Sequence, residues 1–422
     1  MTAPVQTASG IKPPTVLLLW DADYPWDIRV EKVSETLMDN GVAVHVLARN
    51  RRRSPRKEQA GRLAIHRLPA LPHWMGPLND LVSFPAFLNP LWARSALSTG
   101  REIGADLIIV RDLPLAPLAL WAGRRLGIPV VLDMAEAYPE MIRNVWLFGP
   151  WKLRNVLIRN PKLAEQVERY VIRRIDRILV VVEESRDRLI SLGVDPARIT
   201  IVSNTPDPGR FRPAQAAPGN NPTLRATYVG LLGYSRGLEV AIRGLAAHRA
   251  QGGTATLELY GTGKAEPKLR ALARELRLEE VVRFHGWLDN RELPRVMTEA
   301  DVCVVPHRVC GHWQATIPNK LFDYMAAGKP VLVSDVKPMA RVVGRTGAGL
   351  IFRDNDPADF ARCLGLLADP KLRQDLGMQG RHAVETEYRW EQDATRLVSA
   401  IRELVPNKFA GSPSLPVRAE AG

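Results

Sequence analysis

The residues from Ile317 to Val333, IPNKLFDYMAAGKPVLV, combine the features of an anion-binding site in one short stretch. Pro318 opens a predicted helix that carries a carboxylate at Asp323. This helix ends at Gly328, because Pro330 prevents its continuation, and an apolar strand follows. The first N–H groups of a helix have no partner within it, so a helix start beside a strand end can hold a phosphate group.

Apolar strands and helices alternate on both sides of this stretch, which predicts an α/β protein. In open α/β sheets, ligands bind at the carboxyl ends of the strands, often in a crevice between domains. The strands predicted for the first half are residues 15–20, 42–48, 106–110, 129–133, 178–182 and 199–203.

A length of 422 residues is too great for one typical hydrophobic core, which favours two domains. The segment 204–222 contains five prolines and two glycines with almost no apolar pattern, so it is the clearest linker. We therefore expect two doubly wound domains, at residues 1–207 and 208–389. A terminal helix at 390–405 and a flexible tail at 406–422 follow.

The net charge of +13 comes from an excess of 7 basic residues in 1–200 and 6 in 201–422. This even spread argues against a nucleic-acid-binding arm. It suits anionic small ligands or an anionic membrane face, and solubility alone is the alternative. Three cysteines indicate a reducing compartment. The N-terminus has no signal-peptide pattern, and no apolar run is long enough to span a membrane, which together predict a cytoplasmic protein.

A basic loop and an aromatic segment follow each other in the first half. The loop is either a solvated turn or a contact for lipid headgroups or a pyrophosphate. The aromatic segment is either an interfacial membrane anchor or an apolar cover for the sheet edge. The basic residues are Arg49, Arg51, Arg52, Arg53, Arg56 and Lys57, and the large apolar ones are Trp74, Met75, Phe84, Phe87 and Trp92.

Four motifs in the second half, in this order, resemble retaining glycosyltransferases of the GT-B fold, in particular glycosyltransferase family 4. They are YVGLLGYSRGLEVAIRGL (228–245), LELYGTGKAEPKL (257–269), VVRFHGWLDNRELPRVMTEADVCVVP (281–306) and PNKLFDYMAAGKPVLVSD (318–335). The resemblance implies two Rossmann-like domains that face a cleft, with the terminal helix crossing back to the first domain. It also implies transfer of a sugar from a nucleotide diphospho-sugar that is bound mainly by the second domain.

The resemblance implies a donor site that stabilises the charge of a departing nucleotide diphosphate. Arg236, Lys264 and Lys320 are the candidate catalytic cations, and Asp323 is expected at the ribose hydroxyls. Gly261 and Gly263 either let the backbone approach the nucleotide or form an ordinary turn. The complete set of predicted donor contacts is Gly230, Gly261, Gly263, Arg283, Phe284, His285, Gly286, His307, Pro318, Asn319 and Asp323.

The chain departs from the family pattern at three positions. Leu231 stands where a second arginine is common, Ala315 replaces the first of two acids, and Ala135 replaces a histidine. The loss at Ala315 directs attention to the loop HRVCGHWQAT, in which His307, His312, Trp313 and Gln314 could contact the sugar.

No metal or other cofactor is expected. The residues Cys303, His307, Cys310 and His312 invite a zinc interpretation, but no second Cys/His pair follows at finger spacing. No DxD motif lies in a strand-end loop, and the resembled family type needs no divalent ion.

Charged residues at three strand ends of the first domain form the predicted acceptor side. Ordinary polar loops are the alternative explanation for them. They are Arg29, Arg111, Asp112, Asp133 and Glu136.

These observations predict a retaining glycosyltransferase that moves a hexose-type sugar from a UDP- or GDP-sugar to a glycan or lipid-linked acceptor. Cell-surface polysaccharide or glycolipid synthesis is the expected setting, with peripheral contact to an anionic membrane as an open possibility. The alternatives are a nucleotide-sugar-binding protein with a degenerate site, or a nucleotide-sugar epimerase.

Overall fold

The chain is represented by a computed structural model, which describes residues 13–25, 27–85, 87–149, 160–211 and 223–409. Within these ranges the backbone forms two separate β-sheets, each flanked by helices. Strands from Thr15 to Ile201 build the first sheet, and strands from Leu224 to Phe352 build the second. The predicted α/β architecture with two Rossmann-like domains is confirmed.

The first sheet has eight strands in the order β3-β4-β2-β1-β5-β6-β7-β8 in the described part of the chain. All neighbours pair in parallel except β3 with β4. The strands are β1 (Thr15–Asp23), β2 (Ala43–Arg49), β3 (Lys57–Ala60), β4 (Leu63–Arg67), β5 (Leu107–Arg111), β6 (Val130–Met134), β7 (Arg177–Val180) and β8 (Ile199–Ile201).

Helices cover both faces of this sheet, which explains why its central strands are apolar on both sides. All five residues of β5 and of β6 are buried. The helices are α1 (Ile28–Asp39), α2 (Gly76–Val82), α3 (Pro90–Ile103), α4 (Ala116–Leu126), α5 (Tyr138–Phe148), α6 (Pro161–Ile172) and α7 (Glu183–Ser191).

The second sheet contains six parallel strands within the described ranges, in the order β11-β10-β9-β12-β13-β14. This is the doubly wound order. The strands after β9 are first added on one side of it and then, from β12 onwards, on the other side, which leaves a crevice at the carboxyl ends of β9 and β12. The strands are β9 (Leu224–Val229), β10 (Ala255–Tyr260), β11 (Val282–Gly286), β12 (Val302–Val305), β13 (Val331–Ser334) and β14 (Gly349–Phe352).

The helices of the second half connect its strands and then return to the first domain. They are α8 (Leu238–Ala250), α9 (Glu266–Glu275), α10 (Leu293–Glu299), α11 (Asn319–Ala326), α12 (Lys337–Thr346), α13 (Pro357–Leu366), α14 (Pro370–Thr386) and α15 (Trp390–Leu404).

The last helix, α15, packs against the first domain. Leu397 and Ile401 are fully buried in the same apolar cluster as the first two strands. The carboxylate of Asp393 accepts a hydrogen bond from the backbone N–H of Ser203 at 3.0 Å. The indole N–H of Trp390 donates to the hydroxyl of Thr36 at 2.9 Å. The predicted return of the terminal helix to the first domain is therefore observed.

Three features differ from the sequence prediction. Residues 57–60, expected in a basic loop, form the edge strand β3, and β4 pairs with it. Helix α12 was not expected between the last two strands. The described structure continues beyond 405, because Pro406–Lys408 form a 3-10 turn and Phe409 packs into the first domain. Residues 410–422 of the predicted tail, and 212–222 of the predicted linker, lie outside the described residues.

The two domains meet through loops at the carboxyl ends of their strands. Thr316 donates a hydrogen bond to the carbonyl of Ala135 at 2.9 Å. Asn144 donates to the hydroxyl of Ser235 at 3.1 Å. Arg341 on α12 pairs with Glu184 on α7 at 2.8 Å. These contacts close a cleft around the predicted donor site.

None of the helices described is both long and apolar enough to cross a membrane.

Candidate functional site

Lys320 lies in the first turn of α11, and its Nζ is buried against the end of β9. Its Nζ lies 3.8 Å from the ring centroid of Tyr228. A Cβ on Gly230 would lie 2.5 Å from Nζ, so a larger residue at position 230 would displace the ammonium group from this place. Within the described residues this Nζ has no hydrogen-bond partner. Burial and then Arg236 lower the pKa of Lys320 well below its ordinary value, while Asp323 opposes the shift.

A buried ammonium group without a hydrogen-bond acceptor is unfavourable. It becomes favourable when an anion enters, because a charge-assisted hydrogen bond then replaces the lost hydration. The neighbouring N–H groups at the start of α11 add to this, since no side chain caps that helix. The arrangement is therefore suited to a phosphate group.

Arg236 supplies a second cation beside Lys320. It ends the 3-10 turn Tyr234–Arg236, directly before Gly237. Its Nη1 lies 3.1 Å from Nε2 of His307. Its guanidinium carbon lies 4.4 Å from the ring centroid of Trp313. A planar guanidinium held on an aromatic face and fixed at one nitrogen keeps further N–H groups for phosphate oxygens.

Gly237 lets the backbone turn before α8 and does so against another loop. Its φ is +65°, and a Cβ there would overlap the carbonyl oxygen of Pro306. Residue 237 thereby fixes the distance between the Arg236 turn and the loop that follows β12. The sequence shows a glycine directly after Arg236, but this contact between distant segments is visible only in the structure.

Aromatic side chains from the loop after β12 surround the arginine. The ring of Trp313 lies 4.2 Å from that of His307 and 4.4 Å from that of His312, centroid to centroid. Burial, Arg236 and Lys320 together hold the pKa of His307 well below its ordinary value. Its imidazole is therefore neutral near pH 7 and can accept a hydrogen bond from the arginine.

Three ring nitrogens of this cluster are buried without a hydrogen-bond partner among the described residues. They are Nδ1 of His307, Nδ1 of His312 and Nε1 of Trp313. Buried polar atoms are nearly always paired in folded proteins, and those that are not usually mark a place where a ligand or water binds. The ring nitrogens and Lys320 thus define one connected polar site.

The predicted glycines of the donor site bring two loops together. A Cβ on Gly261 would overlap the carbonyl oxygen of Gly230, and one on Gly263 would overlap that of Leu232. The loop after β10 therefore contacts the loop after β9 through the backbone. Lys264 is exposed at the end of this interlocked pair of loops.

The segment predicted to face the nucleotide base is the edge strand β11. Its charged side chains are occupied, because Arg283 and His285 contact the buried Glu258 at 3.2 Å and 2.7 Å. Phe284 packs against the apolar core. Gly286 accepts a hydrogen bond from the N–H of Gly261 at 2.6 Å. The backbone at the end of β11 is thus held beside the Gly261 loop.

The remaining predicted donor residues lie on or before α11. Pro318 is buried at the start of the helix, and Asn319 is exposed in its first turn. Asp323 is half-buried one turn further on, close enough to Lys320 to act on its pKa. The structure therefore brings Pro318, Asn319, Lys320 and Asp323 together with Arg236 and His307.

Two of the predicted acceptor residues are each other's partners. Arg29 and Asp133 form a buried pair, with Nε of Arg29 2.9 Å and 2.8 Å from the two carboxylate oxygens. Although burial acts to raise the pKa of Asp133, Arg29 and Arg111 hold it below its ordinary value. These charges join α1 to the end of β6, so they are not free to meet an acceptor as expected from the sequence.

Arg111, which is also buried, forms a second ion pair with Asp112 at the end of β5, and Glu136 lies near enough to act on both. Asp112 has a φ of +61° and a ψ of 171°, a conformation in which a side chain is strained. Nη1 of Arg111 donates to its carboxylate at 2.8 Å. Burial raises the pKa of Asp112 to about 8, even though Arg111 acts against the shift. Glu136, two residues after β6, is half-buried.

The metal-binding interpretation of Cys303, His307, Cys310 and His312 gains no support. Cys303 is fully buried in β12, and burial raises the pKa of its thiol to about 12. Among the residues described, no three His, Cys, Asp or Glu side chains are arranged to hold a metal ion.

Two family models match the chain, one on each domain. Residues 27–205 match the model described as a glycosyl transferase 4-like domain. Residues 223–369 match the model described as glycosyl transferases group 1.

Curated relatives align with most of the chain. Glycogen synthase from Mycobacterium tuberculosis is 27% identical over 355 residues, which are 82% of this chain and 81% of the relative. D-inositol 3-phosphate glycosyltransferase from Acidothermus cellulolyticus is 24% identical over 407 residues, or 90% and 86% of the two chains.

Solved structures with the same fold cover nearly the whole chain. Sucrose-phosphate synthase from Thermosynechococcus elongatus has a TM-score of 0.73 at 20% identity, covering 93% of this chain and 100% of that one. The Anabaena protein HepE, solved in complex with UDP and glucose, has a TM-score of 0.68 at 13% identity, with coverage of 93% and 100%.

Proposed function

Because this chain belongs to the glycosyltransferases of the family 4 type and has their GT-B fold, we propose that its donor is a nucleotide diphospho-sugar. We propose that it moves a hexose-type sugar from a UDP- or GDP-sugar to a glycan or lipid-linked acceptor, with retention of the anomeric configuration. The observation that carries this is the buried, unpaired ammonium group of Lys320 beside Arg236, within the described residues.

The two cations suit the charge that develops during sugar transfer. When the bond between the anomeric carbon and the diphosphate breaks, negative charge collects on the leaving phosphate oxygens. Lys320 and Arg236 are already placed, and the Nζ of Lys320 is buried, so they stabilise that charge without rearrangement. Lys264, on the neighbouring loop, is a third candidate for the same role. HepE was solved with UDP and glucose, which supports a nucleotide-sugar donor for this chain.

We assign Asp323 to the ribose hydroxyls and the backbone of Arg283 to Gly286 to the base. The start of α11, at Asn319 and Lys320, lies below the diphosphate in this assignment. The departing phosphate then takes the proton of the attacking acceptor hydroxyl on the same face of the sugar. Such a reaction needs no enzymic base, and the protein cations perform the charge stabilisation that a divalent metal performs elsewhere.

The acceptor is a glycan or a lipid-linked saccharide, bound on the side of Arg111 and Asp112. Relatives that make glycogen and that act on an inositol phosphate show how far acceptors differ among similar chains. The strained Asp112, at the end of β5, lies where a hydroxyl-bearing acceptor would enter from the first domain.

An exposed apolar surface on the first domain supports contact with an anionic membrane. Trp74 and Leu88 are each 81% exposed and Leu81 is 71% exposed. Arg53 donates to the carbonyl of Leu71 at 3.1 Å, which attaches the basic loop to this aromatic segment. Apolar side chains beside fixed arginines are typical of a protein surface that enters the headgroup region. Trp92, by contrast, is buried in the core and covers the sheet.

The test incubates the protein with UDP- and GDP-hexoses and a panel of glycan and lipid-linked acceptors. We expect turnover with one donor base, unchanged by a metal chelator, and NMR of the product should show the anomeric configuration of the donor. Absence of turnover and of donor binding with every nucleotide sugar would contradict the proposal. Inverted product would contradict its mechanism.

A second experiment tests the membrane contact. We expect co-sedimentation with vesicles rich in phosphatidylglycerol and much less with pure phosphatidylcholine. Changing Trp74 and Leu81 to serine should reduce binding, whereas changing the distant, exposed Met378 to serine should not. Equal binding of the W74S/L81S variant and the wild type would rule out this surface.

A further inference from the structure

The loop carrying Ala315 is pressed against the strand end that carries Glu136. Thr316, the next residue, donates its hydroxyl to the carbonyl of Ala135 at 2.9 Å. Ala135 and Trp313 belong to one buried apolar cluster, although they come from different domains. Glu136, which follows Ala135 directly, is therefore brought to the ring cluster of the second domain.

The closeness of Glu136 to this cluster is also visible in its effect on His312. Burial lowers the pKa of His312, Glu136 acts in the opposite direction, and Arg236 lowers it further. His312 is 4% exposed, and its Nδ1 has no hydrogen-bond partner in the part of the chain described. A carboxylate of the first domain thus lies near enough to this buried imidazole to influence its charge.

The hydrogen-bonding groups gathered here match a ligand that carries hydroxyl groups. A carboxylate accepts hydrogen bonds, an indole N–H donates one, and a neutral imidazole does either. A sugar hydroxyl both donates and accepts, so it can bridge such groups. A second phosphate fits less well, because a carboxylate would repel it.

We propose that Glu136, His312 and the indole N–H of Trp313 form a subsite for the hydroxyl groups of the donor sugar, built from both domains. The subsite rests on the proposed function, and it occupies the place where Ala135 and Ala315 offer no polar side chain. It moves Glu136 from the acceptor side, where the sequence suggested it, to the donor sugar.

The subsite is complete only when the two domains are in contact. His312 and Trp313 belong to the loop after β12, and Glu136 follows β6. Donor sugar therefore bridges the cleft, whereas free nucleoside diphosphate engages Lys320 and Arg236 in the second domain alone. A change in this subsite should therefore alter the recognition of the sugar without altering the affinity for free nucleoside diphosphate.

The test replaces Glu136 by glutamine and compares three ligands: UDP or GDP, whichever base the wild type uses, the intact donor, and donors lacking one hydroxyl each. We expect nucleoside diphosphate affinity within about twofold of wild type and a drop in kcat/KM for the intact donor of about 10- to 100-fold. With the deoxy donor that lacks the contacted hydroxyl, E136Q and wild type should be equal. Trp313→Phe, which keeps a ring and removes the N–H, should give the same pattern.

Glu102→Gln is the matched control, since Glu102 is an exposed acid at the end of α3. Equal behaviour of E136Q and E102Q with all donors would overturn the subsite. So would equal losses for nucleotide and intact donor, or a change confined to the KM of the acceptor. A wild-type protein that binds nucleoside diphosphate but shows no deoxy-donor discrimination overturns the subsite only. A wild type that binds no nucleotide or nucleotide sugar contradicts the proposed function itself.

Discussion

At the scale of single residues, the proposed donor site contains cations whose positions are set by glycine and aromatic neighbours. The Nζ of Lys320 lies beside Gly230 and on the ring of Tyr228. Arg236 is held by His307 and lies on Trp313. The family resemblance of the motifs predicted Lys320 and Arg236 as cations of this site, and the structure brings the two close together. The unpaired ring nitrogens could not be predicted, because whether an atom has a partner depends on contacts between distant segments.

Lys320→Met should remove most of the affinity for nucleoside diphosphate. A charged hydrogen bond to phosphate contributes about 1.5–3 kcal/mol, so calorimetry should show a loss of about 10- to 100-fold. The free protein should be at least as stable as wild type in urea, because the substitution removes an unsatisfied buried charge. Lys268→Met, at an exposed lysine of α9, is the control and should bind normally. Wild-type affinity in K320M would exclude Lys320 from the phosphate site.

Binding of nucleoside diphosphate should consume protons at pH values below 10.5, the ordinary pKa of lysine. Burial depresses the pKa of Lys320 in the free protein below its ordinary value of 10.5, and a bound phosphate raises it again. Between these two pKa values the complex holds the proton that the free protein lacks, so affinity falls as pH rises. Calorimetry in buffers of different ionisation enthalpy should reveal this uptake for wild type. Unchanged proton uptake in K320M would show that another group takes up the proton.

The raised pKa of Asp112 predicts that the stability of the folded protein depends on pH. Its folded-state pKa is raised from 3.8 to about 8, so the folded protein holds a proton that the unfolded chain releases in between. The contribution to stability is therefore full below pH 3.8 and is lost as pH rises towards 8. Asp112→Asn removes the titration, so its stability relative to wild type should increase between pH 5 and pH 8. Urea unfolding that shows a constant difference across this range would contradict the raised pKa.

At the scale of elements, the site depends on loops that interlock at the carboxyl ends of β9, β10 and β12. Gly237 and Gly261 allow backbone to meet backbone there. Such contacts position Arg236 and Lys320 more firmly than one flexible loop could. The sheet therefore supplies the framework, and the glycine contacts fix the positions of neighbouring loops relative to each other.

Gly237→Ala should impair both stability and nucleotide binding, because the new Cβ overlaps the carbonyl of Pro306. Gly252→Ala is a matched control, since Gly252 also has a positive φ of +86° but has no atom within 4 Å of a built Cβ. The control should lose about 1–2 kcal/mol of stability from backbone strain and keep its nucleotide affinity. Equal nucleotide affinities of G237A and G252A would show that this loop contact does not position Arg236.

The sequence predicted the buried strands and most helices because their apolar periodicity is strong. It could not reveal β3, whose residues KEQA are all exposed, because an edge strand with two solvated faces has no apolar alternation. Helix α12 is a different case. Met339, Val342 and Val343 have helical spacing and are buried, so the signal was present in the sequence. The pairing of Arg29 with Asp133 was not predictable, since 104 residues separate them.

At the scale of the whole molecule, the two domains are linked by polar contacts around the cleft, by a shared apolar cluster and by α15. Arg341 reaches Glu184 from α12, while Thr316 reaches Ala135. Asp393 on α15 is buried and serves two groups of the segment that leaves the first sheet, the N–H of Ser203 and the hydroxyl of Thr205. The last helix is thus part of the first domain.

Asp393→Ala should destabilise the first domain by about 2–4 kcal/mol, because a buried N–H and a buried hydroxyl lose their acceptor. In thermal unfolding of this variant, nucleoside diphosphate should raise the transition temperature of the second domain and leave that of the weakened first domain unchanged. Glu391→Ala, an exposed position on the same helix, should resemble wild type. If D393A unfolded like E391A, the helix would not depend on this carboxylate.

The return of α15 also sets an order of events during synthesis. The indole of Trp390 meets Thr36 across a separation of 354 residues. The ribosome releases the residues of the first domain early, yet the apolar surface that α15 covers stays open until the chain is nearly finished. The second domain, whose strands all lie between 224 and 352, contains its own core and can fold in the meantime. The half that is made first is therefore completed last, and until then its exposed surface needs protection from other chains.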